Sequence, residues 1–189
     1  MKDKLRFVAR TRQEWRKWLE NNHTQDEGIW LVTYKKNSGM PYLSYNDIVE
    51  EALCFGWIDS LPRKLDQLRT MLYISPRKAR SNWSKANKDR VVKLVKYDLM
   101  TPTGMAKIEQ AKVDGSWFFL DDVEKSIVPN DLKQALAQNP TAQKHFNGFP
   151  SSVKRGILEW IKNAKKPATR AKRINKTVEL AAQNIRANF

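Results

Sequence analysis

The chain has 189 residues, 41% of them apolar, and its 35 Lys+Arg against 20 Asp+Glu give a formal net charge of +15. That length and apolar content fit a folded chain with one sizeable core or two smaller ones, and exclude a disordered polyelectrolyte. A single cysteine and two histidines exclude an internal disulfide, zinc sites built on paired cysteines, and a three-histidine metal site.

The opening stretch, MKDKLRFVARTRQEW, is basic but has no apolar run of signal-peptide length. No stretch approaches the roughly 20 apolar residues of a membrane span. A cytoplasmic protein without a transmembrane segment is therefore expected. The charge is uneven: residues 1–62 cancel at nine of each sign, while 63–150 carry +7 and 151–189 carry +8. Such a field attracts an anionic ligand, an acidic partner or nucleic acid, and it also serves solubility alone.

In chain order, residues 5–9 read as a short strand. The capping box Thr11-x-x-Glu14 then opens a helix to about residue 22, with Trp15, Trp18 and Leu19 on one face. Residues 28–36 alternate and are rich in β-branched and aromatic side chains, which predicts a strand. Ser44-x-x-Asp47 starts a helix ending at Gly56. Residues 57–64 and 68–75 form two strands of a hairpin turning near Asp66-Gln67, and Pro76 ends it. Ser84 caps a helix through about residue 97, with Val91, Leu94 and Val95 inward, and Thr101-Pro102 opens another to about residue 113. Residues 114–128, about 15 in number, read as an irregular connection and a module boundary. Four helices are expected after it, at 129–138, 140–147, 151–163 and 167–187. Ile174, Val178, Ala181 and Ile185 line one stripe of the last. The fold class is α+β: a mixed module with a hairpin over 1–113, the connection 114–128, and an all-helical module over 129–189.

Three stretches carry a resemblance. They are Glu50-Glu51-Ala52-Leu53-Cys54-Phe55-Gly56-Trp57-Ile58-Asp59, then Pro76-Arg77-Lys78-Ala79-Arg80-Ser81-Asn82-Trp83-Ser84-Lys85, and the tail from Pro150-Ser151-Ser152 through Trp160-Ile161 to Thr169-Arg170-Ala171-Lys172-Arg173-Ile174. In this order they resemble the YdeI/OmpD-associated family, the bacteriocin-protection proteins. The resemblance implies a role in tolerance of bacteriocins or antimicrobial peptides. It also implies an envelope or porin connection, from which the sequence departs by lacking an export signal. It brings no established catalytic residues.

The residues themselves nominate a ligand site at 75–85, where Arg77, Lys78, Arg80, Ser81 and Trp83 crowd cations, a hydroxyl and an indole ahead of a helix N-terminus. Arginine grips phosphate or carboxylate with two parallel N–H groups, and an indole stacks on a base or a guanidinium. The same segment also reads as a solvated basic loop with a buried Trp. Trp57 and Asp59, two apart on a strand, share a face and could anchor Arg77 or Arg80, or simply make a structural ion pair. On the helix 47–55, Asp47, Glu50, Glu51 and Cys54 share an acidic face opposite an apolar one, which leaves Cys54 an unreactive thiol. Lys166, Arg170 and Arg173 form a basic stripe on the last helix, suited to nucleic acid or to water.

No nucleophile elbow, P-loop or dinucleotide fingerprint is present. No metal, no cofactor and no catalytic residue is nominated. The leading expectation is a binding protein for an anionic ligand. The alternatives are a nucleic-acid-binding protein and an enzyme acting on a phosphorylated or carboxylated small molecule, whose pocket would join Glu50, Cys54, Trp57 and Asp59 to Arg77.

Overall fold

The structure is a computed structural model and describes residues 5–188. Residues 1–4, where the basic N-terminal stretch begins, and Phe189 lie outside the described residues. The chain is α+β and divides into two units between Phe118 and Phe119.

In the first unit the order is β1 (Arg6–Val8), α1 (Arg12–Asn22), β2 (Ile29–Tyr34), α2 (Tyr45–Cys54), β3 (Trp57–Lys64), β4 (Arg69–Pro76), α3 (Lys85–Lys96) and α4 (Pro102–Val113). The four strands make one sheet in the order β1-β2-β4-β3. β1 and β2 are parallel, joined by the α1 crossover, while β4 pairs antiparallel with both β2 and β3. Pro62 lacks an N–H to donate, and it lies on the edge strand β3, where the register shifts between Asp59 and Pro62.

Each helix of this unit starts where a side-chain oxygen takes a free N–H. Thr11 accepts from Glu14 N, Ser44 from Asp47 N, Ser84 from Asn87 N and Thr101 from Gly104 N. The core gathers Trp15, Leu19, Ile29, Leu31, Val49, Leu53, Trp57, Ile74, Trp83, Leu94 and Ile108. Two sequence expectations shift in detail. In α3, Val91 and Leu94 are buried but Val95 is 48% exposed. In α2, every residue from Ile48 to Cys54 is buried, including Glu50 and Glu51. The acidic face is covered because α1 and α3 bring Arg12, Arg16 and Lys93 against it.

α4 docks on the end of α2. Thr101 donates through N (3.1 Å) and Oγ1 (2.6 Å) to the Cys54 carbonyl. A Cβ at Gly104 would collide with that same carbonyl oxygen, so the approach requires glycine.

The second unit contains α5 (Asp121–Glu124), α6 (Asn130–Ala137), α7 (Pro140–Gly148), α8 (Ser151–Lys162) and α9 (Pro167–Ala182). Its core is Leu120, Val123, Leu132, Leu136, Phe146, Val153, Ile157, Ile161, Ile174 and Ala181. Proline at the first turn of α7 and α9 presets φ where no intrahelical N–H bond is lost. The last helix ends earlier than its periodicity predicts. Asn184 adopts φ +58 and Ile185 N bonds Leu180 O at 2.8 Å, a left-handed termination that leaves Ile185 half-exposed.

Candidate anion-binding site

β4 delivers Arg77 at its end, and Arg77 N bonds the Gly56 carbonyl at 2.9 Å, which fixes where the side chain leaves the sheet. The loop then turns back through Arg80, a non-glycine residue at φ +59, and Trp83 enters the core just before α3. The guanidinium of Arg77 stacks on the Trp83 indole, its Cζ 3.7 Å from the ring centroid. Its Nη1 donates to Ser81 Oγ (3.2 Å) and to the Asn82 carbonyl (3.0 Å). Arg77 is 3% exposed and Trp83 is 2% exposed. Arg77 Nε, Arg77 Nη2 and Trp83 Nε1 are buried with no hydrogen-bond partner among the described residues.

Arg77 and Trp83 line a small cavity of about 10 Å³ with Lys78, Ala79, Arg80, Lys107, Gln110, Ala111, Asp114 and Ser116. Four cations therefore meet one carboxylate. That carboxylate is already engaged, since Asp114 accepts from Arg80 N (3.0 Å) and from Ser116 N (2.9 Å). Ser116 and the backbone N–H of Arg80 hold Asp114 below the usual carboxylate range. Among the described residues, no carboxylate is bonded to Arg77. Burial pushes it down to about 10 while Asp59 pulls the other way through space. It remains a cation at neutral pH, buried without a directly bonded carboxylate among the described residues.

Of the nominated ligand residues, Arg77, Lys78, Arg80 and Trp83 line this cavity. Ser81 supports it, accepting from Arg77 and donating to the Lys78 carbonyl at 2.7 Å. Trp57 instead lies in the core and donates Nε1 to the His23 carbonyl (3.0 Å). Asp59 accepts from Tyr45 Oη (2.8 Å), with no bond to Arg77 or Arg80. Lys107, Gln110, Asp114 and Ser116 were not foreseen. They come from α4 and the turn after it, and no local pattern ties that helix to the 77–83 loop.

Glu50 and Cys54, offered with Trp57 and Asp59 as an enzymatic pocket, lie elsewhere. Glu51 is held by Arg12 (2.6 Å) and Arg16 (2.9 Å), and Glu50 by Lys93 (2.8 Å) and Arg12 (3.0 Å). Burial raises Glu50, but the hydrogen bonds from Lys93 and Asn46 and the charge of Arg12 outweigh it and hold the acid below its ordinary value. The Cys54 thiol is pushed up to about 11, by burial first and by Glu51 next, against the pull of Arg16 and Arg12. It is protonated at neutral pH and a poor nucleophile.

In the second unit, Arg170 is gripped by Asp131 through Nε (2.6 Å) and Nη2 (3.0 Å). Arg173 stacks on Trp160 and donates to its carbonyl. Lys166 is exposed at the start of α9. Two of the three residues nominated for nucleic acid thus have intramolecular partners. No helix of the described residues is long and apolar enough to cross a membrane.

Fold and site define an α+β protein whose first unit encloses a buried, stacked arginine with two donors unpartnered among the described residues. Residues 7–107, more than half of the chain, match a family described as a domain of unknown function (DUF8412), and the chain belongs to it. Residues 125–184 match the family described as bacteriocin-protection, YdeI or OmpD-associated. The resemblance read from the sequence is shown for that C-terminal part, while the motifs at 50–59 and 76–85 fall within the first match. No curated protein and no solved structure matches the chain.

Proposed function

We propose that the chain is a binding protein that takes an anionic ligand at the Arg77–Trp83 pocket. We further propose that this capture takes place in the cytoplasm and serves tolerance of bacteriocins or antimicrobial peptides. The observation that carries binding is the buried guanidinium of Arg77, with Nε and Nη2 unpartnered among the described residues. An ion buried without a counter-charge costs several kcal/mol. With its proton held up to about pH 10, Arg77 does not escape that cost by becoming neutral. An incoming anion supplies both the charge and the acceptors. The tolerance role rests on the family description of residues 125–184.

The test is a thermal-melt and tryptophan-fluorescence titration of the full chain with phosphate, sulfate, acetate and chloride. At least one anion should raise Tm and perturb the indole signal of the native chain, and neither effect should remain in Arg77→Met. At a concentration ten times Kd, the stabilisation should reach about 1.4 kcal/mol. A Tm unmoved by every anion, or moved equally in Arg77→Met, would overturn the reading.

A further inference from the structure

We infer that the first unit carries a second binding site, for a small aromatic anion, in the groove beside α1. This groove shares no residue with the Arg77 pocket, so either reading stands or falls without the other. Size, ring chemistry and charge carry the inference.

The groove has a volume of about 650 Å³. That lies within the roughly 300–1,000 Å³ of clefts that hold small molecules. One wall is a stripe of α1 from Glu14 to Asn22, with residues spaced i, i+3, i+4, i+7 and i+8 on one side of the helix. The strands add Phe7 of β1 and Tyr34, where β2 ends. Arg10, Glu14, Lys17 and Asn21 line the groove and are exposed, so a ligand reaches it from solvent without any rearrangement.

Four aromatic rings cluster beside the groove. Trp15 and Trp57 are buried, whereas Phe7 and Trp18 are half-buried and line the wall. Phe7 and Trp18 stack with centroids 5.5 Å apart, and Trp18 stacks in turn on Trp15 at 5.3 Å. Trp57 meets Trp18 edge-on at 5.7 Å. The aromatic cluster of the core thus reaches the groove. A flat ring laid against that wall buries apolar area and extends the ring–ring contacts, which a saturated ring cannot do.

Three cations line the groove against one carboxylate. That carboxylate is held to the backbone, since Glu14 Oε2 accepts from Arg10 N at 2.7 Å. Arg69 is engaged by Asp66 at 2.7 Å. The Arg10 guanidinium and the Lys17 ammonium form no ion pair among the described residues. Their charge favours an anion, and because both are exposed each adds only modestly to affinity. A ring that bears an acidic group uses the wall and the cations together.

The experiment is isothermal titration of the full chain at neutral pH and low salt. The probes are naphthoate, adenosine monophosphate, naphthamide and cyclohexanecarboxylate. At least one of the two aromatic anions should bind with Kd below about 1 mM. It should bind at least about fivefold tighter than naphthamide, which keeps the rings without the charge, and than cyclohexanecarboxylate, which keeps the charge without a flat ring. Tighter naphthoate would identify a carboxylate as the acidic group, and tighter adenosine monophosphate a phosphate. Lys17 is exposed, so Lys17→Ala spares the core, and it should weaken the bound aromatic anion at least about threefold. Lys144→Ala removes an exposed charge that does not line the groove and should cost less than about 1.5-fold.

Either control compound binding as tightly as the aromatic anions, or equal losses in Lys17→Ala and Lys144→Ala, would overturn the assignment. So would the absence of binding by both aromatic anions at about 1 mM.

Discussion

The first unit buries charge in two places, at the Glu50–Glu51 pair on α2 and at Arg77 after β4. All three residues are 3% exposed or less. At α2 every charge is answered: Arg12 reaches Asp47, Glu50 and Glu51, Arg16 adds a second bond to Glu51, and Lys93 with Asn46 completes Glu50. At Arg77 two donors are unanswered among the described residues, and the charge of Asp59 acts on it through space without a bond. Burial alone therefore does not mark a site. A closed ionic network ties helices together, whereas an open one leaves donors unspent.

Substitutions can break or sharpen that contrast. The largest effect is expected at Arg12→Ala, which removes one cation from three carboxylates and should destabilise the chain by about 3 kcal/mol in urea unfolding. Arg77→Met should do the opposite in the absence of anions. Replacing an unpaired buried charge by a flexible apolar side chain should stabilise by about 1 kcal/mol, read as a higher urea midpoint at unchanged slope. Opposite signs at the two positions support the contrast, and equal destabilisation would erase it.

Acid adds a smaller test. Glu50 is held below the 4.5 of an ordinary glutamate. A depressed acid contributes stability that is present above its unfolded value and lost as pH falls through its folded one. Urea midpoints should therefore decline below about pH 4.5, and Lys93→Ala should make that decline shallower. The smallest effect is expected at Arg170→Ala. Its bond to Asp131 is partly exposed, so a loss under about 1 kcal/mol should appear in thermal melts.

Local signals made much of the fold legible. The caps at Thr11, Ser44, Ser84 and Thr101 each hold the N–H that their spacing predicts, because capping depends on residues three apart. The hairpin from Trp57 to Pro76 follows from strand composition bounded by the Asp66 turn, where Asp66 Oδ1 takes the N–H groups of Leu68 and Arg69. Tertiary neighbours were not legible. The acidic side of α2 has the pattern of a solvent face, and only the packing of α1 and α3 reveals it as covered. The pocket was half visible for the same reason. Arg77, Lys78, Arg80 and Trp83 lie on one short segment, whereas Lys107, Asp114 and Ser116 reach it across the fold. The pairing of Asp59 with Tyr45, fourteen residues earlier, likewise leaves no mark in local spacing.

The glycine at 104 has a consequence for how this protein can vary. α4 carries Lys107, Gln110 and Asp114 to the pocket, and its distance from α2 is set where Gly104 meets the Cys54 carbonyl. That backbone contact acts as a spacer of fixed thickness. A single methyl group, Gly104→Ala, would force that backbone contact to shift and would move Lys107, Gln110 and Asp114 with α4, without altering any residue that lines the pocket. The placement of those residues is thus encoded one helical turn before Lys107.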